Sequence, residues 1–178
     1  TKNMYDYELY KGDELKDILI VDCGIGFPRE QEFGVDFEIP DITYLEDKVD
    51  KIRGMVLTHG HEDHISAVRF YYEKLGRPKI YASKLTTLLV QNKAKERGVV
   101  LNMEVIDFRK TYTIGDFDVK FIKMTHSIPD TTHVLIKTPA GAIYHGSDFK
   151  FDLTPPFGYS PDLYEIAQAG HDGTLCLL

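Results

Sequence analysis

With 178 residues, 43% hydrophobic and 28% charged, the chain can bury one core and is too apolar for disorder, so a single domain is expected over residues 1–178. No apolar run approaches the roughly 20 residues that cross a bilayer, and the opening TKNMYDYELY lacks the basic-then-apolar order of a secretory signal. A formal charge of −7 argues against a simple nucleic-acid-binding module, which draws on Lys and Arg, yet leaves room for an enzyme whose clustered carboxylates are offset by divalent cations.

The first predicted element is a buried strand at 18–21, ending at Asp22, with glycines at 24 and 26 marking a turn. Residues 27–41 mix Pro, Gly and acidic side chains without period and read as a long surface loop, followed by a short helical piece near 44–50. A strand at 54–58 leads directly into a histidine cluster. Apolar residues at 65, 68, 72 and 75 then recur at helical spacing, predicting a helix over 62–75 that Gly76 and Pro78 stop. A strand at 79–82 precedes a helix over 83–97, with Ser83 as N-cap and Gly98 as terminator. Further strands are expected at 104–108, 117–124, 134–138 and 142–145, with turns at 114–116 and 139–141, then a helix at 161–169. The tail 174–178 reads as an apolar strand without a terminating polar segment, as expected of a fragment. Cys23 and Cys176 are too few for a disulfide framework, and both lie in apolar, strand-like surroundings where a thiol acts as a small hydrophobe. A reducing cytoplasm is the expected setting.

His59 and His61 stand two apart at a strand end, where alternate side chains share a face, so both imidazoles can meet one metal ion. Asp63 and His64 follow where the backbone turns into a helix, which aims them at a second point close to the first. A lone His-x-His is commonly a solvated turn, but four ligand-type residues within positions 59–64, between a strand and a helix, are the context that a zinc site requires. His126 ends a strand and Asp148 follows another, adding a third imidazole and a bridging carboxylate. Asp22, also at a strand end, is expected to orient a ligand through its N–H rather than to ligate. His133 and His171 read as ordinary surface or strand residues, and His145 as a further candidate orienter.

With THGHEDHI at 58–65, MTHSIPD at 124–130 and HGSDFKFD at 145–152, the chain resembles the ribonuclease J family of metallo-β-lactamase-fold nucleases. NMYDYEL near the start, VDCGIGFP at 21–28, IPDITYLED at 39–47 and IRGMVLTHGHEDHI at 52–65 occur in the order that family shows. The resemblance implies an α/β fold, the metallo-β-lactamase αββα sandwich. It implies that His59, His61 and His126 hold one Zn2+, that Asp63 and His64 hold a second, and that Asp148 bridges them, with Asp63, His64 and Asp148 at the chemistry. Mn2+ or Mg2+ are alternative cofactors. Asp22 matches the family's first acidic motif. The resemblance further implies 5′-to-3′ exonuclease and endonuclease action on RNA by a full-length cytoplasmic protein that forms dimers or tetramers. The family interrupts this fold with an RNA-clamping β-CASP domain, then resumes it with strands that carry a last His ligand. Neither follows Leu178, so an incomplete second site is expected. Gly is commoner in the family at the positions of Ser66 and Ser147.

Two other readings compete. The acidic composition would suit a hydrolase of the same fold acting on a small ester, thioester or lactam, which a substrate panel separates from a nuclease. A non-catalytic scaffold would be expected to have lost ligand residues, and the set available here is intact.

Overall fold

The computed structural model describes residues 2–30 and 33–178. One sheet has the order β1 (Tyr5–Lys11), β2 (Glu14–Val21), β3 (Ile52–Leu57), β4 (Ile80–Ala82) and β5 (Met103–Val105). Within it β1 and β2 form an antiparallel hairpin and the remaining neighbours run parallel. The other sheet has the order β10 (Cys176–Leu177), β9 (Gly141–His145), β8 (Thr132–Thr138), β7 (Phe117–Lys123) and β6 (Thr111–Ile114). Here β6 to β9 form an antiparallel meander, and β10 lies parallel to β9.

The period of two along each strand decides the layering. Ile18 and Ile20 of β2, with Met55 and Leu57 of β3, enter a core shared with α1 (Glu62–Ile65), α2 (Val68–Tyr71) and α3 (Lys84–Lys95). Their alternates Leu19, Val21 and Val56 face the second sheet and meet Val119, Phe121, Val134 and Ile136. On the far side of the second sheet, Ile122, Leu135 and Tyr144 pack on Ala169 of α4 (Leu163–Asp172). The result is four layers in the order α, β, β, α. A strand covered on both faces must be apolar at every position, which is why 18–21 is an unbroken run. Each such fully buried aliphatic side chain contributes about 1.5–3 kcal/mol.

Polar ties close the two ends of the sandwich differently. Where β2 and β3 begin, Asp17 accepts from the Asp116 N–H at 2.7 Å and from the Arg53 guanidinium, joining the sheets permanently. Where they end, Thr132 donates through its N–H at 3.0 Å and its hydroxyl at 2.8 Å to the Thr58 carbonyl. The chemistry-bearing loops gather at this second rim.

Several expectations need correction. Residues 62–75 form two single helical turns, α1 and α2, rather than one helix. The carbonyls that a continuous helix would use are taken by other segments: that of Asp63 by the Asn3 N–H at 2.9 Å, that of His64 by the Cys23 N–H at 2.7 Å. The Ala67 N–H turns instead to the Cys23 carbonyl at 2.9 Å. Residues 43–51 hold two short 3-10 turns. The strand expected at 104–108 is Met103–Val105, and β1 and β6 were not anticipated. In the loop 27–41, residues 31 and 32 lie outside the described residues; the rest is irregular apart from a bridge at Glu38. Cys23 is buried, but Cys176 is exposed on the short strand β10, beside the exposed Leu175 and Leu177.

Candidate metal centre

The loop after β3 begins with a fixed anchor. Asp22, buried and at φ 61°, accepts from the Thr58 N–H at 2.8 Å and from the Thr58 hydroxyl at 2.9 Å. The hydroxyl has one proton and a carboxylate can only accept, so that proton belongs to Asp22. The Thr58 oxygen, 3.0 Å from His59 Nδ1, must then accept from it, which leaves His59 Nε2 with a free lone pair. Asp22 Oδ2 lies 2.7 Å from His64 Nδ1 and orders the second imidazole in the same way, with His64 Nε2 turned toward the Asn3 amide nitrogen at 3.0 Å. One carboxylate thus sets the tautomers of two rings.

Four residues converge at the rim. Ligand-type atoms of His59, His61, His126 and Asp148 all lie within 4.8 Å of one another. His59 Nε2 and His61 Nδ1 are 3.1 Å apart, and His126 Nε2 is 3.5 Å from Asp148 Oδ2. For an ion at Zn–N distances of 2.0–2.1 Å, tetrahedral donors stand about 3.4 Å from each other. The spacing and the mixture of imidazole nitrogen with carboxylate oxygen therefore fit a divalent cation. His59 and His61 come from the first sheet's loop, His126 and Asp148 from loops of the second.

Asp63 and His64 stand beside this group rather than inside it. His64 Nε2 is 3.7 Å from Asp148 Oδ2 and 3.8 Å from Asp63 Oδ2, so Asp148 lies between the two clusters. Sequence reasoning gave no role to Asn3, whose amide nitrogen is 3.0 Å from His64 Nε2 and 3.3 Å from Asp63 Oδ2. The NMYDYEL segment that Asn3 opens carries the family resemblance without marking its amide as part of a site. It also assigned nothing to Thr58, although a hydroxyl directly before the first histidine was visible. Glu62, inside the motif, is tied to Lys93 and the Ser66 hydroxyl. Ser147 occupies φ 50°, a conformation that favours glycine, and its hydroxyl sits 3.0 Å from that of Thr58. His145 Nδ1 pairs with the Tyr7 hydroxyl at 2.7 Å. His133, expected at the surface or as an ordinary strand residue, lies buried in β8 with Nδ1 on the Tyr144 hydroxyl at 2.9 Å, and its Nε2 has no hydrogen-bond partner among the described residues.

Burial first, then the neighbouring imidazoles of His64, His61 and His126, hold His59 neutral down to about 2. Burial likewise takes His133 down to about 4, with His145 adding, and places His126 and His145 below the usual range. For His64 burial opposes the charged ring, but the Asp22 hydrogen bond and the charges of Asp22, Asp63 and Asp148 outweigh it, and its affinity for a proton rises. The signs separate. Groups lowered in the fold bind protons only when unfolded, so stability falls as pH drops below about 6.5, the value of a free imidazole. His64 acts oppositely, its contribution being full below about 6.5 and lost as pH rises through its folded value. In chelator, going from about pH 7 to about pH 5 is expected to cost about 2 kcal/mol for each of His59 and His133. Urea unfolding followed by circular dichroism checks this; a flat profile over that window would show these rings titrating freely.

Two layered sheets flanked by helices, with a His and Asp cluster where their loops meet, define a metallo-β-lactamase fold. Residues 10–174 match the metallo-beta-lactamase superfamily, and the chain belongs to it. Among solved structures, the metallo-beta-lactamase fold protein YhfI from Bacillus subtilis superposes with a TM-score of 0.55 at 18% identity, over 84% of this chain and 56% of that one. More particularly, the chain is a homologue of part of ribonuclease J. It is 41% identical over 165 residues to ribonuclease J of Synechocystis sp., covering 91% of this chain and 26% of that protein. It is 40% identical over 179 residues to ribonuclease J 1 of Streptococcus pyogenes serotype M3, covering 99% and 31%. The chain thus spans less than a third of the length of these curated relatives. Among the described residues no helix is long and apolar enough to cross a membrane.

Proposed function

We propose that this chain is the metal-holding part of a zinc-dependent ribonuclease that hydrolyses phosphodiester bonds in RNA. What carries the reading is the convergence of His59, His61, His126 and Asp148 within 4.8 Å at the rim shared by both sheets. In this reading His59, His61 and His126 hold one Zn2+, Asp63 and His64 help to hold a second, and Asp148 stands between them. Divalent cations there supply Lewis acidity toward water and phosphoryl oxygen, and Mn2+ or Mg2+ could replace zinc. The chain's own residues prepare the site: Asp22 orients the rings of His59, through Thr58, and of His64, directly. Asn3 holds the Asp63 side chain beside His64. Exonuclease and endonuclease action, cytoplasmic residence and homo-oligomers of the longer chain belong to the same proposal on the strength of the family resemblance.

The test offers the full-length protein, with zinc or manganese, a 5′-monophosphorylated RNA and a panel of small esters, thioesters and lactams. Cleavage of the RNA that stops on chelation is the expected result. Intact RNA alongside a cleaved ester would replace the reading with that of a small-substrate hydrolase, which the charge of −7 would suit.

A further inference from the structure

His126 faces two spaces. One is the cluster above; the other is an adjoining cavity of about 150 Å³, whose lining includes Ile128, Lys150, Pro156, Phe157 and Tyr159. Pockets for whole small molecules begin near ~300 Å³, so this one has room for a single ring rather than a complete ligand. Its walls mix apolar side chains with the polar groups of His126, Asp130 and Lys150. Phe157 is 78% exposed although it belongs to no core, and Gly158 beside it takes φ 83°, turning the chain so that the loop lies over residues 129 and 130. Lys150 is fixed near His126, since its N–H donates to the Thr125 carbonyl at 2.7 Å, and its ammonium group lies 3.1 Å from Asp152. Tyr159 is held edge-on by Phe108 at 5.1 Å, and its hydroxyl is buried with no hydrogen-bond partner among the described residues.

An exposed aromatic face calls for a stacking partner, and a lysine lining the cavity beside it suits a phosphate. A nucleotide provides both at once. We propose that this cavity is a nucleobase subsite, in which a base flanking the scissile phosphate stacks on Phe157 while Lys150 meets the adjoining phosphate. The proposal rests on the ribonuclease reading and adds to it a specific contact outside the metal cluster. Stacking needs only the π-face that every base has, so the size of the cavity rather than base-edge readout sets which bases enter.

The experiment uses full-length protein and a set of RNA oligonucleotides of one sequence, each with a single abasic ribose at a different position around the cleavage site. In the wild type, one position next to the scissile phosphate should lose about tenfold in kcat/KM when its base is removed. Phe157→Ala should lose about the same on intact RNA and then no longer respond to that abasic position. Phe157→Trp, which keeps a stacking face, should behave as wild type, and Phe157→Leu, which keeps apolar bulk without that face, should behave as Phe157→Ala. If the wild type cleaves RNA but no abasic position matters, or if the loss persists undiminished in Phe157→Ala, the subsite is refuted and the ribonuclease reading stands. If the wild type cleaves no RNA, both fall.

Discussion

Gly24→Ala is expected to destabilise the domain by more than about 4 kcal/mol, a large share of the ~5–15 kcal/mol total of a typical domain. A methyl group at this position would lie 1.6 Å from the Asp63 carbonyl oxygen, 1.9 Å from its carbon and 2.5 Å from the His64 nitrogen. All three are backbone atoms, so no side chain can rotate away. The loop cannot simply lift either: its three consecutive N–H groups, from Cys23, Gly24 and Ile25, are bonded to the carbonyls of His64, Asn3 and Glu62 at 2.7, 2.8 and 3.2 Å. The demand is for space, not for an unusual dihedral. Gly12→Ala is the contrasting control, because its φ of 63° carries a backbone penalty while nothing lies within 4 Å, so about 1 kcal/mol is expected. Denaturant melts of the two variants check the pair; a Gly24→Ala midpoint equal to wild type would mean that the loop stands clear of α1.

Asp148→Ala is expected to remove activity from the full-length enzyme by at least about 10²–10³-fold while barely changing stability. The side chain is 49% exposed, so the core does not depend on it. Its Oδ2 is 3.5 Å from His126 Nε2 and 3.7 Å from His64 Nε2, which places this carboxylate toward both candidate positions. Metal counting separates this from a folding defect. Residues 1–178 should hold about one zinc firmly and a second weakly, since the four-donor group is compact and the Asp63 and His64 pair is looser. The variant should lose the weak ion and bind the firm one less tightly. Two tightly held ions in the unaltered chain would contradict this account of the second position.

The sequence made the site legible earlier than the fold around it. Strands at 18–21 and 54–58 were readable because both their faces are buried, and the ligand-type residues sit where those strands and their counterparts end. Tyr5–Lys11 escaped notice because it is a half-exposed edge strand that interleaves tyrosines with charged residues. The break between α1 and α2 was invisible for a different reason. Apolar spacing reports which face is buried, whereas the interruption comes from hydrogen bonds donated by residues 3, 23 and 25, far away in the chain. The exposed Cys176 shows the same limit, since local apolarity does not reveal what covers a strand. Asn3 belongs with these cases. Its place at the site follows from the bond its own N–H makes to Asp63, a long-range fact.

The unequal closure of the sandwich has a mechanical consequence. Asp17 rivets one end of the two sheets with protein groups alone, while the histidines and Asp148 at the other end belong half to each layer. An ion taking donors from both layers would act as a detachable clasp. Cohesion at that end would then rise and fall with cation supply, by the ordinary law of mass action, while the riveted end stayed indifferent to it.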